Sequence, residues 1–160
     1  MKGDPKVIEF LNKQLTGELT AINQYFLHAK MQDSRGWSKL AEYTRAESID
    51  EMKHAEVLTD RILMLDGLPN YQRLEPLRIG QNITEMFESD LQVEVDAVTV
   101  LREGIEYMRS VNDTTSARLF ETILEDEEGH VDYLETQLDL IKTLGEQLYL
   151  AKQVAPVSEA

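Results

Sequence analysis

Glu51-Met52-Lys53-His54 and Glu127-Glu128-Gly129-His130 are one four-residue pattern written twice, 76 residues apart. Each copy follows a lone glutamate by the same distance: Glu18 lies 33 residues before Glu51, and Glu94 lies 33 before Glu127. The chain has 3 histidines, and two of them fall inside these matched triplets. Residues three apart on a helix share a face, so each Glu-x-x-His pair can offer a carboxylate and an imidazole to one cation. The equal offset predicts two chain halves related by a pseudo-twofold axis, with Glu18, Glu51, His54, Glu94, Glu127 and His130 meeting at one centre.

The surroundings of these glutamates are apolar. Glu18 shares its face with Leu11, Leu15 and Ile22, Glu94 with Phe87, Leu91, Val98 and Leu101, and Glu127 with Phe120, Leu124, Val131 and Leu134. Glu51 is less clear, because Thr44, Glu47 and Ser48 lie on its face. A carboxylate among apolar side chains is costly unless a charge compensates it, and four in one core call for divalent cations. Many carboxylates with one imidazole per metal suit iron or manganese better than copper, and zinc usually takes fewer carboxylates. Iron is the expected metal.

Outward from this pattern, the sequence reads as helix punctuated at a few places. Asp4-Pro5 is an N-cap followed by Pro at the first helical position, and Ile8, Leu11, Leu15, Leu19, Ile22 and Phe26 form an apolar stripe up to Ser34-Arg35-Gly36. A second helix runs from about Trp37 to Leu65 and stops at Gly67-Leu68-Pro69-Asn70. The aperiodic stretch from about Leu68 to Gln81 spans roughly 45 Å if extended, the length of a 30-residue helix. Asn82-Ile83-Thr84-Glu85 reads as a capping box opening a third helix to about Ser110, and Asn112-Asp113-Thr114 opens a fourth to about Leu144. A short helix at about 146–152 and a frayed tail holding Pro156 follow. The expectation is one all-α domain over 1–160: hairpins at about 5–66 and 82–144, joined by one full-length crossover, with a short fifth C-terminal helix.

The 160 residues suffice for a core without cross-links, and the absence of cysteine removes thiolate metal sites and thiol nucleophiles. A net charge of -14 repels nucleic acid and anionic membrane and favours cationic cargo. The N-terminus offers no apolar targeting region and no long apolar run occurs, so the chain is read as cytoplasmic. Met52, next to Glu51, is turned about 100° away from the interior and faces a neighbour. On spacing alone it is a pliable gap-filler in an interface. Tyr25 lies two turns beyond Glu18 on the same face, within reach of the centre or as a core residue. His28, with no acidic residue three before it, reads as a surface or packed histidine.

With both Glu-x-x-His motifs, Glu18, Glu94, the crossover and the Glu51-Met52 pair in view, the chain resembles the bacterioferritins, the haem-containing members of the ferritin superfamily, over nearly its whole length. The resemblance implies a ferritin-like four-helix bundle. It implies that the six residues ligate two iron ions per subunit in a ferroxidase centre, with Glu51 and Glu127 bridging. It implies that Met52 and its mate from a second subunit hold a haem b between them. It implies a homo-oligomeric 24-mer built from dimers, in which Fe(II) is oxidised by O2 or H2O2 and stored as ferric mineral, with a ferredoxin-type reductant for release. Asp66, Asp132 and Asp139 match acidic pore positions of relatives, and Glu47 and Asp50 beside Glu51 are placed to pass iron inward, while the family's frequent histidine at position 46 is Ala46 here, which weakens a separate inner-surface iron site. Rival readings are a haem-free bacterial ferritin, and a soluble di-iron oxidase or manganese catalase on the same bundle. A DNA-protecting mini-ferritin is disfavoured by the complete ligand set within one chain and by the acidic charge.

Overall fold

In the computed structural model, which describes residues 1–155, the chain forms α1 (Pro5–Ser34), α2 (Ser38–Met64), α3 (Ile83–Ser110), α4 (Thr114–Leu144) and α5 (Glu146–Ala151). Among the described residues there is no strand and no helix long and apolar enough to cross a membrane. The tail with Pro156 lies outside the described residues.

The helix ends follow from local chemistry. Asp4 accepts from the N–H groups of Lys6 and Val7, Asn82 from Glu85, and Asp113 from Ser116. Asn82 caps as its pattern predicts, but the Glu85 carboxylate accepts from the N–H of Gln81 rather than closing back on Asn82. The first three helices all end by the same device, a residue with positive φ whose following N–H reaches back to the last turn. Gly36 (φ 84), Asp66 (φ 60) and Asn112 (φ 61) hold that position, and the N–H groups of Trp37, Gly67 and Asp113 return to the carbonyls of Gln32, Ile62 and Met108. The left-handed residue at the end of α2 is thus Asp66 and not the neighbouring Gly67.

The four long helices run up, down, down and up. Gly3 N–H donates to Leu65 O where α1 begins and α2 ends, and Tyr107 near the end of α3 donates to Asp4 at the same end of the bundle. The intervening crossover is stapled to α1 by its backbone. Asn12 donates to Leu68 O and accepts from Asn70 N–H, Thr20 accepts from Glu75 N–H, Gln24 from Arg78 N–H, and His28 Nε2 from Gly80 N–H. These four side chains sit on one stripe of α1 and satisfy a segment that has no secondary structure of its own. Gly80 permits the close approach that ends the staple, since a Cβ there would lie 2.2 Å from Met86 N.

The apolar stripe of α1 differs from expectation at its end. Leu11 and Leu15 are fully buried, but Phe26 is 45% exposed, because Gln24, Tyr25 and His28 take the inward positions at that height. The apolar core forms two layers. One contains Leu11, Leu15, Leu58, Ile62, Leu101 and Phe120, the other Leu40, Ile83, Met86, Phe87 and Leu134. α5 closes the second layer: the Tyr149 ring meets Phe87 edge-on, its hydroxyl donates to Gln137, and Gln153 O accepts from Lys39 N–H. Between the layers lies the polar centre described below.

At the opposite end Asp113 ties the two hairpins together. It caps α4 and pairs with Arg61 Nη2 at 3.0 Å. Burial works against its charge, but hydrogen bonds from Ser116 and the Arg61 guanidinium hold its pKa below the ordinary aspartate value. A carboxylate with a lowered pKa in the folded state contributes stability above its unfolded pKa and loses it as pH falls through the folded value. Asp113→Ala is expected to cost about 1 kcal/mol or somewhat more at neutral pH, with the difference shrinking in acid. Urea denaturation of both proteins at neutral and at acidic pH checks this, and an unchanged difference would contradict it.

Candidate metal centre

α1, α2, α3 and α4 each deliver one carboxylate into the layer between the apolar cores: Glu18, Glu51, Glu94 and Glu127, none more than 1% exposed. α2 and α4 add His54 and His130 one turn later on the same faces, as the three-residue spacing requires. The doubt about Glu51 is thereby resolved: Thr44 and Ser48 on its face are buried too, so a polar stripe on α2 faces inward at this height.

The six residues form two overlapping groups able to hold a cation. Glu18, Glu51, His54 and Glu127 make one, and Glu51, Glu94, Glu127 and His130 make the other, so Glu51 and Glu127 belong to both. His54 Nδ1 lies 2.9 Å from Glu127 Oε1, 3.5 Å from Glu18 Oε1 and 3.6 Å from Glu51 Oε1. His130 Nδ1 lies 3.3 Å from Glu94 Oε1, 3.4 Å from Glu51 Oε1 and 3.8 Å from Glu127 Oε2. Of these contacts the one between His130 Nδ1 and Glu94 Oε1 is a hydrogen bond, and the others are close approaches without hydrogen-bond geometry. His54 Nδ1, Glu18 Oε2, Glu51 Oε1, Glu94 Oε2 and both oxygens of Glu127 are buried without a hydrogen-bond partner. Buried polar atoms rarely remain so, and here they converge on one another with acceptor lone pairs inward. That donor set fits divalent cations coordinated by oxygen and imidazole nitrogen.

Burial and mutual contact shift the ionisation of the cluster. Burial and the neighbouring carboxylates push Glu51 and Glu94 well above the usual carboxylate range. Glu127 is held low, against the effect of burial, by its contacts with Glu94, His130 and His54. Burial opposes the charge on His54 as well, yet Glu127, Glu18 and Asp126 pull its pKa up to about 11, and His130 is raised in the same way by Glu127, Glu47 and Glu94.

A surrounding shell orients the centre. Gln14, itself buried, donates to Glu18 Oε1 at 2.8 Å, and the Tyr25 hydroxyl donates to Glu94 Oε1. Tyr25 therefore touches the centre through α3 and not through Glu18 on its own helix. The outer nitrogens of the imidazoles point away from the carboxylates: His54 Nε2 meets Asp126 Oδ2 at 2.9 Å and His130 Nε2 meets Glu47 Oε2 at 2.7 Å. Asp126 was not legible from the sequence, being one of several exposed acids on α4; only the fold brings it over His54. His28 is fully buried as a packed histidine, with Nδ1 2.9 Å from Asp90 and Nε2 on Gly80 N–H. Asp66, Asp132 and Asp139 are exposed.

Met52 points outward from α2, as its 100° offset from Glu51 predicts, and is 45% exposed. It lies in a groove of 280 Å3 lined on one side by Leu19, Ile22 and Ala55 and on the other by Glu56, Thr59, Asp60 and Tyr71, where the Thr59 and Tyr71 hydroxyls are 2.6 Å apart.

Residues 8–144 match the ferritin family by its ferritin-like domain. The bacterioferritin of Streptomyces coelicolor is 72% identical over 151 residues, covering 94% of this chain and 90% of that protein. Bacterioferritin BfrA of Mycobacterium tuberculosis is 62% identical over 155 residues, 97% of this chain and 98% of its own length. A solved structure of M. tuberculosis bacterioferritin BfrA superposes with a TM-score of 0.96, covering 97% of this chain and 98% of that one. The chain belongs to the ferritin family and, within it, to the bacterioferritins.

Proposed function

We propose that this iron-storing chain oxidises Fe(II) to Fe(III) at the buried six-residue centre and delivers ferric iron to the interior of a closed shell of subunits. The carrying observation is the set of inward-facing Glu18, Glu51, His54, Glu94 and Glu127 atoms left without partners in a layer where burial is nearly complete. Two ferrous ions are the substrate, each giving one electron to oxygen or peroxide when both are held together. Glu51 and Glu127, common to both groups, are assigned as bridges; Glu18 with His54 and Glu94 with His130 complete the two positions. Their carboxylates neutralise the incoming charge, Gln14 and Tyr25 hold Glu18 and Glu94 in place, and the apolar layers above and below keep water from the metal pair.

The same reading extends to the assembly. Met52 and its counterpart on a second subunit would hold a haem b, which would supply electron transfer for iron release, with a ferredoxin-type protein as donor. The assembly is a cytoplasmic 24-mer built from dimers, whose acidic inner surface concentrates cations and nucleates the mineral.

Glu18→Ala and His130→Ala are each expected to abolish the fast phase of Fe(II) oxidation in stopped-flow absorbance while the assembled mass is retained. Removing one buried ligand leaves the helix packing in place, so unaltered oxidation would refute the assignment. Met52→Leu is expected to lose the haem absorption bands after expression with ample haem and to keep oxidation. A wild-type protein that stays monomeric or dimeric in solution and never retains iron would favour a soluble di-iron oxidase instead.

A further inference from the structure

We propose that the cleft between α1 and α3 is the passage by which a small neutral oxidant, dioxygen or hydrogen peroxide, reaches the buried centre, with Gln14 as the side chain that closes its inner end. This deepens the oxidation reading above and rests on it. The cleft holds 360 Å3, and the crossover forms its third wall through Pro76. Its α1 side carries Gln14 and Gly17, its α3 side Val93, Ala97 and Val100. Glu18 directly follows Gly17, and Glu94 directly follows Val93, so both walls belong to stretches that deliver a ligand. Gln14 lines the cleft, is 1% exposed, and donates to Glu18 Oε1 at 2.8 Å. One amide thus stands between the open space and the centre.

Charge selects what this cleft admits. Lys13 and Arg78 at its rim are balanced by Glu75 and Asp96, and Arg78 Nη2 pairs with Asp96 at 3.5 Å. The cleft between α2 and α4, onto which both His54 and His130 open, has Asp50, Glu125 and Asp126 against Lys53. A cation is drawn to the acidic mouth and gains nothing at the balanced one. A neutral molecule has no such preference: the valine and alanine walls suit dioxygen, and the Gln14 amide can hydrogen-bond peroxide. Gly17 fits the same role. Glycine within a helix is less stable than alanine, and a Cβ at Gly17 would meet no atom within 4 Å, so packing does not demand it. A bare backbone there keeps the cleft open next to Glu18.

The test loads the assembled protein with Fe(II) under anaerobic conditions, mixes it with dioxygen or with hydrogen peroxide in stopped flow, and takes the slope of oxidation rate against oxidant concentration. Gly17→Leu and Ala97→Leu fill the cleft from opposite walls, and each is expected to lower that slope several-fold. Gly17→Ala, too small to fill it, is expected to keep the wild-type slope. Anaerobic Co(II) titration, followed by visible absorption, should be the same in all of them, since none of these residues is a ligand. A fall for one oxidant alone supports the passage and shows which oxidant uses it. Slopes unchanged for both oxidants in Gly17→Leu and Ala97→Leu overturn the passage and leave the oxidation reading standing. Wild-type protein that binds Fe(II) but is oxidised rapidly by neither oxidant overturns that reading, and the passage with it. Should Gly17→Leu fail to assemble or alter Co(II) binding, Ala97→Leu decides alone by the same slopes.

Discussion

Four carboxylates in the dry middle layer of a helical bundle are the constraint on which the rest of this structure depends. Stripping a carboxylate of water costs several kcal/mol even after relaxation, far more than one well-packed apolar side chain returns. The surrounding fold has to outweigh that cost, and the two apolar layers, with Leu11, Leu58, Leu101 and Phe120 on one side and Leu40, Met86 and Phe87 on the other, supply the burial. They also keep the site dry, which makes each carboxylate interact strongly with whatever cation or proton occupies the centre. Stability and chemistry pull in opposite directions here, as expected where a protein holds charged groups ready for a metal.

The crossover is the second element that the site requires. Parallel placement of α2 and α3 brings Glu51 and Glu94 into the same layer, and it can be achieved only if the chain returns along the whole bundle before α3 begins. An extended segment of that length exposes many backbone donors. α1 meets them with Asn12, Thr20, Gln24 and His28, and the last two also converge on Asp90 of α3, one turn before Glu94. The crossover is thus bound to the helix that carries Glu18 and locked to the helix that carries Glu94. Connectivity and ligand placement share one set of hydrogen bonds.

Legibility varied with the kind of signal. Helix limits were readable because caps are local: Asp4, Asn82 and Asp113 act within three residues of themselves. The burial of Glu18, Glu94 and Glu127 was readable because their apolar neighbours repeat at helical spacing. Glu51 was ambiguous since Thr44 and Ser48 resemble a solvated face, and their burial depends on the packing of α1 against α2. Phe26 misled for the converse reason: an apolar residue continues a stripe by period, but exposure is decided by which side chains the neighbouring helices and the crossover cover. Asp126 gave no signal at all, because an exposed acid on an acidic helix becomes an anchor only when another helix brings an imidazole to it.

The amino-acid sequence by itself determined the helices, their order, the single long connection and which carboxylates and imidazoles recur at matched spacing, since those depend on periodicity, capping and reach, which are properties of contiguous residues. The family likeness, carried by the repeated triplets, followed from the same information. The tertiary structure alone decided that Glu51 and Glu127 are common to both groups, that Tyr25 serves Glu94, and that unlike carboxylates stand behind His54 and His130. These are relations between residues far apart in the chain, and their distances and shielding from water exist only once four helices have packed.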